Sequence, residues 1–136
     1  MKYIVLLGRL FFSINFILVS LGHFSMQTIS YAAAKGVPMA SLLVPLSGIL
    51  TLLGGLSILL GYKAKYGAWL LVILLVPLTL CMHKFWGMPD PIVAHMQQLS
   101  FLKNLSLIGA SLFIAYFGSG PFSFDNRKEG KRKKSR

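Results

Sequence analysis

Acidic side chains are nearly missing from this sequence: Asp90, Asp125 and Glu129 are the only three in 136 residues. Charged residues of both signs make up 12% of the chain, against about 25% in an ordinary soluble domain. Cysteine is equally scarce. Cys81 stands alone, which rules out an intramolecular disulfide and the paired-thiol chemistry of a disulfide-exchanging quinone reductase. Its place inside an apolar run argues for a small buried hydrophobe rather than an intermolecular bridge. There is no glycine-rich phosphate loop, no CxxC or CxxCH, and no nucleophile elbow. With so little chemistry, the chain is not expected to be an enzyme on its own, and no catalytic residue is expected.

What it has in abundance is long apolar runs, at about 3–22, 41–61, 65–83 and 99–118. Each holds about 20 residues, and at about 1.5 Å rise per residue each spans the ~30 Å hydrocarbon core of a bilayer. Lipid offers backbone groups no water, and so short a chain cannot close a barrel, so the runs read as helices. The expected fold is all-α, an integral-membrane four-helix bundle over residues 1–125 followed by a disordered basic tail, 126–136. Pro45 and Pro77 lie inside the second and third runs, where each should kink its helix.

Four spans put both termini on one side. That side carries Lys2, Lys63, Lys65 and the tail RKEGKRKKSR, with seven bases and one acid. The other carries Lys35, Lys84 and Asp90, with Lys103 just inside the fourth span. The positive-inside rule then makes both termini cytoplasmic and the segments 23–38 and 84–98 outward-facing loops. Tyr3, Tyr62, Trp69, Trp86 and Tyr116 fall near span ends, where amphipathic rings prefer the interface. A signal peptide cut near YAAAKG would remove the first span. However, that run is as long as a full span and ends about ten residues before Ala33, which favours its retention. The net charge of +11 sits mostly in the tail, whose expected partners are anionic lipid headgroups. No aromatic residues interleave the bases, so nucleic acid is not an expected partner.

Function has to be sought in the few polar residues within the spans. Arg9 either snorkels to the headgroups or faces the bundle. At 100° per residue, Ser13, Ser20 and His23 fall within about 40° of it, a polar stripe that favours the second reading. By elimination its intramembrane ion-pair partner is Asp125, on the same side of the membrane. Ser47, Thr51, Gly54 and Gly55 recur at near-helical spacing and read as a helix-packing face, with a small-ligand groove as the other reading. Asn104 is placed to hydrogen-bond across the bundle. The three histidines, His23, His83 and His95, gather at the outer end, but none are spaced i, i+4, so no metal site is expected. The HKFWG segment sets His83 near Trp86: either an interfacial anchor or the wall of a headgroup or quinone pocket. The candidate ligand pocket is therefore His23, His83, Trp86, His95 and Asn104.

Taken in order, GRLFFSINFILVSLGHF, GVP, LTLLGGLSILLGYKAKYGA, HKFW and FLKNLSLIGASLFIAYFGSGPFSFD resemble the DoxX family of small bacterial membrane proteins over roughly residues 5–125. The resemblance implies a four-helix protein of the bacterial inner membrane. The family pattern matches at Arg9, Gly54-Gly55, His83 with Phe85 and Trp86, Lys103-Asn104, and Asp125. Many members carry an acid just before the paired glycines; here that position is Thr51, which leaves Asp125 as the counter-charge. The function implied is a non-catalytic subunit or scaffold of a membrane oxidoreductase or oxidative-stress complex, with a protein partner. The alternative is a direct quinone- or lipid-binding protein with its pocket at the outer end.

Overall fold

The computed structural model describes residues 1–127 of the chain. Five helices follow one another: α1 (Lys2–Gly22), α2 (Met26–Ala34), α3 (Ala40–Leu60), α4 (Ala64–Met82) and α5 (Pro91–Phe117). Four of them, all but α2, are long and apolar enough to cross a membrane. The chain is an all-helical, multi-pass membrane protein whose lipid-facing side chains contact the bilayer. The basic tail lies outside the described residues from position 128 onward; Asn126 and Arg127 complete a helical turn, 124–127, started by Ser123.

The apolar runs mark the spans to within a residue or two, except at their outer ends. The segments expected as loops, 23–38 and 84–98, are largely helical. Ser25 caps α2 by accepting from the Thr28 amide at 3.2 Å, and α2 lays Ala32 and Ile29 over Ala40, Val44 and Met82. Asp90 caps α5 by accepting from the Ile92 and Val93 amides, with Pro91 in the first turn. Each cap supplies the acceptor that orphan first-turn amides need. The fourth span is thus the inner part of a 27-residue helix. Pro45 and Pro77 sit inside α3 and α4 without breaking either helix.

Packing runs in sequence order: α1 on α3, α3 on α4, α4 on α5, with α2 across the end of α3. The interior is unusually polar and small. Arg9, Ser13, Ser20, Thr51, Thr79, Asn104 and Ser111 are buried, while Phe11, Leu53, Ile73 and Phe113 point outward. That inversion suits a bilayer, where apolar side chains gain nothing by leaving lipid and small residues let backbones approach. The paired glycines serve two different neighbours. A Cβ on Gly54 would stand 2.7 Å from Leu71 and 3.2 Å from the Gly67 carbonyl of α4. One on Gly55 would stand 3.2 Å from Phe16 of α1. By contrast α1 and α5 hardly touch along their backbones. Phe12 and Phe16 bridge part of that gap by joining one core cluster with Leu107, Ile108 and Ile114. The fourth side of the bundle is therefore closed by side chains alone.

Candidate functional site

At the end that carries the termini, the chain after α5 turns back under the bundle and lies against the α3–α4 turn. Arg9, only 5% exposed, fastens it. The guanidinium donates to the carbonyls of Ser119 at 2.9 Å, Phe122 at 3.0 Å and Leu59 at 3.4 Å. Asp125 fastens it from the other side, its carboxylate accepting from the Lys63 and Ala64 amides at 2.9 and 3.1 Å. Its own amide donates to the Gly61 carbonyl at 2.9 Å. Gly61 has φ +63°, and a Cβ there would collide with Ser123 and stand 2.8 Å from Arg9 Nη1, so only glycine admits both at the turn.

The direct Arg9–Asp125 ion pair expected by elimination is not formed: no ion pair to Asp125 is recorded for Arg9 among the described residues, and each group has found a helix end instead. Leu59 belongs to the last turn of α3, where carbonyls converge and the dipole is negative; Lys63 and Ala64 open α4, where amides converge and the dipole is positive. The cation sits at the first and the anion at the second. Ser13 Oγ and Arg9 Nε are buried without a hydrogen-bond partner.

At the opposite end a cavity of about 630 Å³ opens among all five helices. Its walls are mostly apolar: Phe16 and Val19 from α1, Val44 and Leu50 from α3, Leu71, Leu75 and Pro77 from α4, and Leu107 from α5. His23, His83 and Asn104 line it, as do Ser47 and Thr51 from the small-residue face. Trp86 and His95 do not. Trp86 packs edge-on against Phe85 and Phe101 and is half exposed; His95 is exposed on the outer part of α5. Polar wall residues that the sequence reading did not place at the pocket include Thr28, Tyr31, Asn15 and Lys103. Tyr31 lies on the unforeseen α2. Asn15 falls about 120° from Arg9 around α1 and so off the polar stripe. Lys103 read as a residue near a span end and as part of the matched Lys103-Asn104 pair, not as a pocket residue.

The polar atoms of the cavity form a short network at its outer rim. Ser47 donates its only hydroxyl proton to the Val44 carbonyl at 2.7 Å, so at the 3.0 Å contact with His23 it accepts and Nδ1 of His23 donates. His83 Nδ1 likewise donates to Gln97 Oε1 at 2.9 Å, and Gln97 Nε2 to the Tyr31 hydroxyl at 3.1 Å. Both imidazoles thus carry a proton on Nδ1. Burial pushes the pKa of His23 down, favouring the neutral form. Deeper in, Asn104 donates to Thr79 Oγ1 at 3.1 Å. No three of His, Cys, Asp and Glu meet in a metal-binding group among the described residues.

A family model described as the SURF4 family matches residues 1–131. Similar proteins include the Surfeit locus protein 4 homologs of Schizosaccharomyces pombe, 31% identical over 71 residues, and of Drosophila melanogaster, 37% identical over 71 residues. Each match covers 52% of this chain but only 24% and 26% of those relatives, so the chain aligns with about a quarter of their length. The inner membrane protein YphA of Escherichia coli is 29% identical over 100 residues, 74% of this chain and 71% of YphA. No solved structure matches.

These matches overturn the DoxX resemblance. The resemblance rested on an ordered series of short segments around Arg9, Gly54-Gly55, His83 with Trp86, Lys103-Asn104 and Asp125, no one of which is decisive, and the family model over residues 1–131 replaces it. The function inferred from it falls too. Neither a subunit or scaffold of an oxidoreductase or oxidative-stress complex nor a quinone binder finds support in the family that does match.

Proposed function

Because this chain belongs to the SURF4 family, we propose a function from its own geometry rather than from redox chemistry: a membrane-embedded binding protein that takes one elongated, largely apolar guest into the cavity. The observation that carries the reading is the shape of the bundle. The cavity has Asn15, Phe16, Val19 and His23 of α1 on one wall and Lys103, Asn104 and Leu107 of α5 on another, and those two helices lack a tight backbone interface. A guest dissolved in the bilayer would reach the cavity by parting side chains, without unpacking any helix pair. A volume of about 630 Å³ falls within the roughly 300–1,000 Å³ of small-molecule sites, which are likewise mostly apolar with a few placed polar groups.

Placement in the membrane follows the same reading. YphA is named an inner membrane protein, and the excess of lysine and arginine at the termini end supports a cytoplasmic position for both termini. The basic tail would then be drawn to anionic headgroups of the cytoplasmic leaflet. Thiol labelling of single cysteines at Lys2 and Lys84 in a Cys81→Ser background distinguishes the two sides.

Native mass spectrometry of the full chain released from lipid nanodiscs tests the binding reading. The expected result is a protein retaining one small apolar molecule, lost in Val19→Trp, which fills the cavity from the α1 wall. Retention unchanged in that variant contradicts it.

A further inference from the structure

We propose that the guest is a single-chain carboxylate, such as a long-chain fatty acid, and that Lys103 recognises its head. The inference rests on the cavity-binding reading and adds the charge of the ligand.

Lys103 lines the cavity, is exposed, and has no hydrogen bond or ion pair among the described residues. It stands six residues inward of Gln97, the residue that ties α5 to the end of α4 through His83. At ~1.5 Å per residue that is roughly 9 Å deeper. A lysine placed there either snorkels to the headgroups or meets a counter-charge. The described residues supply no counter-charge. Asp90 is committed to the cap of α5, thirteen positions away, and Asp125 is committed to the start of α4 at the other end of the bundle. Glu129, the third acid, lies outside the described residues. The cavity wall thus holds a cation and no acid, and the complement it lacks is an anion delivered by the guest.

The number of charges and the volume narrow the class. Arg9 is spent on carbonyls at the other end of the bundle, and Lys35 lies over the Tyr31 ring on α2. Lys103 is thus the one lysine or arginine among the lining residues, and a single cation suits a carboxylate better than a doubly charged phosphate. Asn15, on the α1 wall, has no recorded side-chain hydrogen bond and offers an amide donor to the same head. The cavity admits one chain; a two-chain phospholipid would leave a tail outside. The competing role for Lys103 is simple snorkelling to the headgroups, which predicts no preference among guests.

The test is equilibrium binding of isotope-labelled palmitate and hexadecanol to the full chain in phosphatidylcholine nanodiscs, in alkaline buffer where the carboxylate is ionised. The two probes share a chain and differ in head. Wild-type protein should hold palmitate at least about tenfold more tightly than hexadecanol, the scale of one charge-assisted hydrogen bond. Lys103→Met should remove that preference by weakening palmitate alone, and Lys103→Arg should restore it. Hexadecanol binding in Lys103→Met serves as the check that the variant is folded. Equal binding of both probes to wild-type protein would overturn the charge assignment and leave the cavity reading standing; this comparison needs no variant. Binding of neither probe would overturn both. Displacement of palmitate by equimolar phosphatidylglycerol would overturn the single-chain carboxylate in favour of an anionic phospholipid.

Discussion

At the termini end of the bundle, both terminal nitrogens of Arg9 and both carboxylate oxygens of Asp125 find backbone partners and strap residues 119–125 across the α3–α4 turn. At the opposite end, Lys103 and Asn15 line a cavity and have no recorded partner. Both ends hold ionisable or amide groups at membrane depth, where an unmet polar group is expensive. The chain ties most of one set to its own backbone and leaves the other set lining a cavity. The first arrangement is what a structural lock needs, and the second is what a binding site needs. Polarity inside a membrane bundle is thus no sign of function by itself; what matters is whether the protein has already spent it.

That contrast can be broken in order of expected effect. Arg9→Ala should be the most damaging change, because it strands up to three carbonyls at the strap. A loss of about 3 kcal/mol or more is expected, read as a fall in unfolding midpoint in mild detergent, with the cavity's binding reduced only through loss of folded protein. Gly67→Ala strikes the α3–α4 contact, where a Cβ would stand 2.5 Å from Ser57 Oγ and 3.1 Å from the Gly54 carbonyl. Overpacking of that kind costs about 1–3 kcal/mol. Asp125→Ala removes the anion at the start of α4 and should cost about 1 kcal/mol. Since Arg9 and Asp125 hold the same strap, the double variant should cost less than the sum of the two. Strict additivity in the same melts would show that the strap is not a unit.

The smallest effect is a pH dependence at the cavity rim. Burial lowers the His23 pKa below its unfolded value, so at pH values between the two the unfolded chain binds more protons and stability rises with pH. The contribution is fully present above the unfolded value of about 6.5 and is lost as the pH falls through the folded value. His23→Gln should flatten the stability profile over that acidic window while leaving it unchanged at higher pH; an unaltered profile would mean the ring is not held neutral.

Much of the fold was legible because bilayer physics simplifies the code: long apolar runs without acids are spans, and the runs ending at Gly22, Gly61 and His83 end as helices nearly there. The loops were harder to read. α2 is short, and only the Ser25 cap signals it. The extension of α5 to Pro91 was written in Asp90-Pro91, a cap followed by a first-turn proline, but the polar composition of 91–98 hid it. At the termini end, Arg9 and Asp125 stood out as costly charges. Their partners did not, since backbone carbonyls and amides carry no sequence signature and elimination among side chains could pair the two only with each other. The small-residue face announced close packing, but nothing in it told that Gly54 meets α4 and Gly55 meets α1. Lys103 was visible and undervalued because its depth depends on where α5 begins.

The central claim is that the unsatisfied end of the bundle receives a guest from the bilayer. It is tested most directly by photolabelling with a palmitate analogue that carries a diazirine near the end of its chain, followed by peptide mapping. The account predicts label on the cavity walls at Leu71, Leu75 and Leu107, suppressed by excess palmitate. Label spread over the lipid-facing Phe11, Ile73 and Phe113 and indifferent to competitor would contradict it.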